Sequence, residues 1–193
     1  MTDGVRLREL TPDRWDDLER LFGPKGACGG CWCMHWRVPR GGKLWEDVKG
    51  EPNRAAFRSL VEAGTACGVL AYKGDAPVGW CAFGPRTDLL RVERVRALKG
   101  TGVEGAWMVH CFLVAAPHRG RGLARAMLAE AVEACRKAGA GCVEGYPVTT
   151  ARDGGRLEPI WSYTGPVGIF EEAGFVPVEG TPRQRPLVRL ELS

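Results

Sequence analysis

Apolar residues along the chain recur at two spacings, and the switches between them lay out the elements. Val5 to Leu10 alternates apolar and polar, as a half-buried strand does. Thr11-Pro12-Asp13 then supplies a capping residue and a first-turn proline, predicting a helix through Leu21 that Gly23 ends. Pro52 opens a second helix whose Ala56, Leu60 and Ala63 share one face, and Gly64 closes it. Gly68 to Tyr72 and Val78 to Phe83 read as strands joined by Lys73-Gly74-Asp75-Ala76-Pro77, a connection of hairpin length and turn chemistry, so an antiparallel pair is predicted. Residues 84–106 hold no sustained period and read as a long connection with one helical turn at most.

Trp107 to Val114 is the most strand-like run. After a glycine-rich turn, Leu123, Met127, Ala131, Cys135 and Ala138 recur at helical spacing, widened by Leu128 and Val132, until Gly139 and Gly141 stop the helix. Cys142 to Tyr146 reads as the next strand, Ile169 to Ala173 as a short helix ended by Gly174, and Phe175 to Val178 and Leu187 to Leu192 as the last strands. There is no repeat, low-complexity tract or linker. Residues 1–193 therefore read as one domain of the α/β (α+β) class, a mixed central sheet flanked by helices, with a Cys- and Trp-rich loop inserted at 23–43.

Composition narrows the function. With 27 basic against 23 acidic residues the net charge is +4, too small to imply nucleic acid when no basic helix or aromatic and basic ladder accompanies it. Asp3, Arg6, Arg8 and Glu9 break up the first ten residues, so no secretory signal is expected. The best apolar run, Cys111 to Ala116, is far short of the roughly 18 residues of a membrane span. The eight cysteines are then expected as reduced thiols in a cytoplasmic protein without a membrane partner.

The chemistry gathers where the strand ending at Val114 meets the helix starting at Leu123. Arg119-Gly120-Arg121-Gly122-Leu123-Ala124 leaves unpaired backbone N–H groups at the positive end of a helix dipole, unobstructed by side chains, with His118 and Arg125 adding charge. This is a phosphate site. Gly120-x-Gly122 also begins a dinucleotide fingerprint, and Glu144 lies roughly where a ribose-binding acid belongs, but Arg125 stands where the third glycine should be. No Gly-Lys-Ser/Thr follows, which excludes a P-loop.

At this junction the sequence resembles the GNAT superfamily of N-acetyltransferases, whose pyrophosphate motif (Arg or Gln, two residues, Gly, one residue, Gly or Ala) is matched by Arg119, Gly122 and Ala124. Ile169-Phe170-Glu171-Glu172-Ala173-Gly174-Phe175 resembles the family's late segment, and Pro77-Val78-Gly79-Trp80 its central hairpin, in register from about residue 66 onward. The resemblance implies acetyl-CoA or another acyl-CoA as co-substrate, its pyrophosphate on the amides of residues 119 to 124. It also implies pantetheine paired with Phe112-Leu113-Val114, Phe170 beside the cofactor, and a small-molecule or peptide amine as acceptor. It leaves a homodimer open.

Family members commonly carry a Tyr where this chain has Phe170, to protonate the departing thiolate; Tyr163 and Tyr146 are the candidates to replace it. The common Asn after the fifth strand is replaced by Tyr146-Pro147, and the common Glu of the central strand by Met108. His110 stands where arylalkylamine N-acetyltransferases have a His that helps remove the amine proton. By period 2 it shares a face with Met108, opposite Cys111 and Val109, and it is expected to titrate near neutral pH. Cys28, Cys31, Cys33 and His35 could surround a metal, but their spacing is wrong for the common ligand pairs, so none is expected. That loop reads instead as the acceptor side, with Trp32, Met34 and Trp36 as an apolar wall. Two other functions stay open: a degenerate acyl-CoA-binding sensor, and a metal-binding interaction protein.

Overall fold

A computed structural model describes residues 4–39, 43–149 and 162–192. Seven strands form one mixed sheet, in the order β1-β2-β3-β4-β5-β7-β6. They are β1 (Val5–Glu9), β2 (Cys67–Lys73), β3 (Ala76–Pro85), β4 (Ala106–Val114), β5 (Cys142–Gly145), β6 (Val176–Pro177) and β7 (Val188–Glu191). Every pairing is antiparallel except β4 with β5, which are parallel because the 15-residue helix α4 (Leu123–Lys137) carries the chain back between them.

Alternation along β2 sorts side chains to two cores. Val69 and Ala71 face α4 and α5 (Val167–Glu172), where Met127, Leu128, Ala131 and Phe170 are buried. Leu70 and Tyr72 face the other side, against Trp15, Leu18 and Phe22 of α1 (Trp15–Phe22) and Phe57 and Val61 of α3 (Glu51–Glu62). A third cluster gathers Trp36, Leu89, Val92, Leu98, Met108, Tyr146 and Leu187. The connection 84–106 is thus packed rather than slack. Its 3₁₀ turns at Arg86–Asp88 and Val92–Arg94 turn Leu89, Val92 and Leu98 inward without any helical period.

The elements expected from the sequence are present, with shifted ends, but α3 buries Asn53, Phe57 and Val61, leaving Ala56 and Ala63 of the face read for it exposed. β3 runs past both bounds read for it, so the hairpin turn tightens to Gly74-Asp75, and the penultimate strand shrinks to Val176–Pro177. One helix was not foreseen: α2 (Lys43–Val48) buries none of its residues, so it has no apolar stripe to betray it. It lies at the end of the 23–43 loop, of which residues 40–42 fall outside the described residues. No helix among the described residues is long and apolar enough to cross a membrane.

The face expected for Cys111 needs correction. Ala82 pairs with Cys111 but Phe83 pairs with Val109, so His110 is an extra residue bulged out of β4. The bulge breaks period 2: Val109 and Phe112 face α4, while Cys111 and Leu113 turn to the α1 and α3 side.

Candidate active site

β4 and β5 pair only from Ala106 to Val109 and Cys142 to Gly145; beyond that the strands part. Residues 162–166 enter the gap. The Phe112 N–H donates to the Tyr163 carbonyl at 2.6 Å, the Val148 N–H donates to the Gly165 carbonyl at 3.0 Å, and Val148 bridges Pro166. Leu113 pairs with Trp80 and turns its backbone toward β3. By the alternation of the ladder, Val114 is the residue of 112–114 whose N–H faces the gap with no described neighbour assigned to it. Its carbonyl accepts from Arg119 Nε at 2.9 Å.

From the end of β4 the chain turns directly into α4. The cap residue there is Gly122, left-handed at φ 80°, with no side-chain cap, so the first amides of the helix lack acceptors. Gly120 is also left-handed, and a Cβ on it would meet nothing within 4 Å. Both glycines allow a turn with its N–H groups exposed. Leu123 is buried and anchors the turn, Ala124 is half-buried, and Arg121 is exposed. Arg125 is paired with Glu172 of α5. Phe170 is fully buried, edge-on to Phe112 and Phe175 at 6.1 and 5.1 Å, and a Cβ on Gly145 would strike its ring. It floors the gap from within the core.

On the opposite side His110 is buried, and its Nδ1 has no hydrogen-bond partner. Burial, with help from Arg37 and then His35, pushes its pKa down to about 3, far below the neutral range anticipated from sequence. His35 is held at about 4 by burial first, then Arg91 and Arg185. Its ring meets Trp36, Trp45 and Tyr163 edge-on at 5.5, 5.3 and 5.7 Å, and Arg91 Nη1 lies 3.0 Å from its Nδ1. The Tyr163 phenol is kept protonated by burial and is hydrogen-bonded by Arg185, whose guanidinium sits 4.5 Å over the Tyr146 ring.

The three apolar residues of the 23–43 loop do not form one wall. Trp32 is buried between α1 and α3, 6.0 Å from Trp15 and 5.5 Å from Phe22, and Met34 packs on the same cluster. Trp36 packs in the third cluster against Tyr146 at 6.2 Å. Left-handed backbone at Trp32 and Cys33, φ 43° and 57°, turns the chain between them. It also scatters the possible metal ligands. The Cys33 sulfur accepts from Trp80 Nε1 at 2.9 Å while His35 joins Arg91, and among the described residues no three His, Cys, Asp or Glu side chains meet as a metal-binding group.

Sequence reasoning missed Arg37, Arg91 and Arg185, and considered His35 only as a ligand. They sit in stretches without period and meet only through the fold. Glu144 also has a different place from a ribose-binding acid: it is fully buried, bonded to Arg86 and, at 2.7 Å, to Arg189.

Residues 33–152 match the family model described as "Acetyltransferase (GNAT) family". None of the curated protein sequences compared with the chain matches it. Among solved structures, the acetyltransferase of GNAT family from Streptococcus pneumoniae is 13% identical, with a TM-score of 0.53 over 98% of this chain and 99% of that one. The PaiA N-acetyltransferase from Thermoplasma acidophilum, solved in complex with coenzyme A, is 9% identical, with a TM-score of 0.56 over 97% and 99%. YncA from Salmonella typhimurium, solved with its cofactor acetyl-CoA, is 12% identical, with a TM-score of 0.54 over 99% and 95%.

Proposed function

The chain belongs to the GNAT acetyltransferase family, and from that premise we propose that it transfers acetyl from acetyl-CoA to the amine of a small molecule or peptide. One observation carries this reading: the uncapped, glycine-led start of α4 follows directly on the strand that leaves β5, and Arg119 of its turn is bonded to the Val114 carbonyl at that strand's end. The Arg119 N–H is taken by the Ala116 carbonyl at 3.3 Å, so it is the turn from Gly120 to Ala124 that offers a row of amides and a helix dipole to a pyrophosphate, with Arg121 at its rim. Two structural relatives solved with coenzyme A or acetyl-CoA support the choice of co-substrate.

Bound acetyl-CoA supplies an activated thioester. In the gap the Val114 N–H is placed to donate to a carbonyl oxygen, since the Phe112 N–H is already held by Tyr163. Tyr163 is the proton donor for the departing thiolate: its phenol stays protonated, and its own carbonyl fixes it to β4. His110 is the base. With a pKa of about 3 it does not strip a free ammonium; its Nδ1 accepts the proton once the nitrogen has begun to acylate, when that proton is far more acidic. The cations that depress both imidazoles also favour the free-base form of the acceptor.

The test is release of coenzyme A thiol from acetyl-CoA across amines, amino acids, aminoglycosides and peptides. Acceptor-dependent release supports the proposal. Tight acetyl-CoA binding with no acceleration by any amine would make the chain an acyl-CoA sensor instead.

A further inference from the structure

Around the acceptor side of the gap, arginine is the prevailing charge. Arg37, Arg91 and Arg185 arrive from three separate stretches of chain and act on His35, His110 and Tyr163. Asp88 partners Arg37 at 3.3 Å, yet Arg37 Nε remains buried without an acceptor. Arg185 has no carboxylate partner among the described residues. Besides its bond to the Tyr163 phenol, its Nη2 reaches the Thr164 hydroxyl at 3.4 Å, and its Nε is buried and unpartnered. Stacked over Tyr146, it presents its remaining N–H donors at the guanidinium edge. Such unsatisfied donors are costly in a protein interior, and an oxyanion removes that cost.

We propose that Arg185, flanked by Arg37 and Arg91, binds an oxyanion on the acceptor itself, so that the enzyme selects amines that also carry a carboxylate or phosphate. The proposal rests on the acetyltransferase reading above and gives it a substrate class. A planar fork accepts two oxygens of a carboxylate or phosphate in parallel, whereas a carboxamide offers one weaker acceptor. Polycations such as polyamines meet like charge at the same place.

The experiment compares kcat/KM for a set of L-amino acids, their carboxamides, O-phosphoethanolamine and spermidine, in the wild-type enzyme, Arg185→Gln and Arg185→Lys. Expected is a preference of at least tenfold for an oxyanion-bearing amine over the matching carboxamide and over spermidine. It should collapse in Arg185→Gln and recover partly in Arg185→Lys, with acetyl-CoA affinity unchanged. The amino acid and O-phosphoethanolamine arms show whether carboxylate or phosphate is the better partner. Equal use of carboxamides or spermidine, or a preference that survives in folded Arg185→Gln, overturns the proposal and leaves the transferase reading standing. No transfer to any amine, with acetyl-CoA still bound, overturns both. A second readout needs no variant: by calorimetry the wild-type protein should bind N-acetyl amino acids at least tenfold more tightly than their carboxamides, and equal binding sinks the idea.

Discussion

His110 is the residue at which β3 and β4 fall out of register, and that displacement accounts for its chemistry. Bulged from the ladder, the imidazole is enclosed beside Arg37 and His35, so the neutral form persists down to about pH 3. A positioned base typically contributes about 10²- to 10⁴-fold. His110→Ala should lower kcat at least tenfold while calorimetry shows unchanged acetyl-CoA affinity. Any acidic limb of the rate profile near neutrality should keep its position in the variant, because it reports the acceptor's own ammonium. A variant with undiminished kcat would reduce His110 to a core side chain. A family resemblance marked this position; its depressed basicity was not legible, because burial in the fold causes it first and the charges that add to it lie 73 and 75 residues away, at Arg37 and His35.

At the level of elements, α4 carries the local pattern on which the cofactor proposal rests. Gly122 combines a left-handed φ of 80° with the cap position, so Gly122→Glu adds backbone strain, a side chain and a negative charge where the pyrophosphate would sit. Calorimetry on the folded variant should find no measurable acetyl-CoA binding; unchanged affinity would move the cofactor elsewhere. β5 makes a different point. Glu144 neutralises buried Arg86 and half-buried Arg189 from the middle of the sheet, so Glu144→Ala leaves Arg86 with only the exposed-side Glu93, at 2.9 Å, and takes from Arg189 the carboxylate it is bonded to. The cost should be about 3–5 kcal/mol in urea unfolding, with a loss under 1 kcal/mol contradicting the role given to the network. α4 was legible because its stripe repeats within its own length, and the glycine-led turn before it because its glycines and arginines are contiguous. α2 was not, since nothing in it is buried; nor was the cluster of His35, Arg91 and Arg185, which come together only when β4, β5 and the loops have folded.

Across the whole molecule the two buried or half-buried imidazoles add to the loss of stability in acid that the arginine-bonded carboxyls of Glu19 and Glu93 also bring. His35 and His110 have folded pKa values of about 4 and about 3, below the unfolded value near 6.5, so the unfolded chain binds protons more readily between those limits. Their contribution is therefore fully present above about pH 6.5 and declines as pH falls toward 4 and then 3. Melting temperature should drop across that window, and less steeply in His110→Gln; identical slopes would show that the imidazole is not held neutral. The parting of β4 from β5 has a consequence for self-association. A sheet that opens in its middle exposes edge groups to which a foreign strand could add, a known route to aggregation. Here the Tyr163 carbonyl covers the Phe112 N–H, and Pro166, beside Val148, has no N–H to offer an incoming strand. Of residues 112–114 this leaves the Val114 N–H as the one facing the breach, where a foreign strand needs a row of such groups to pair.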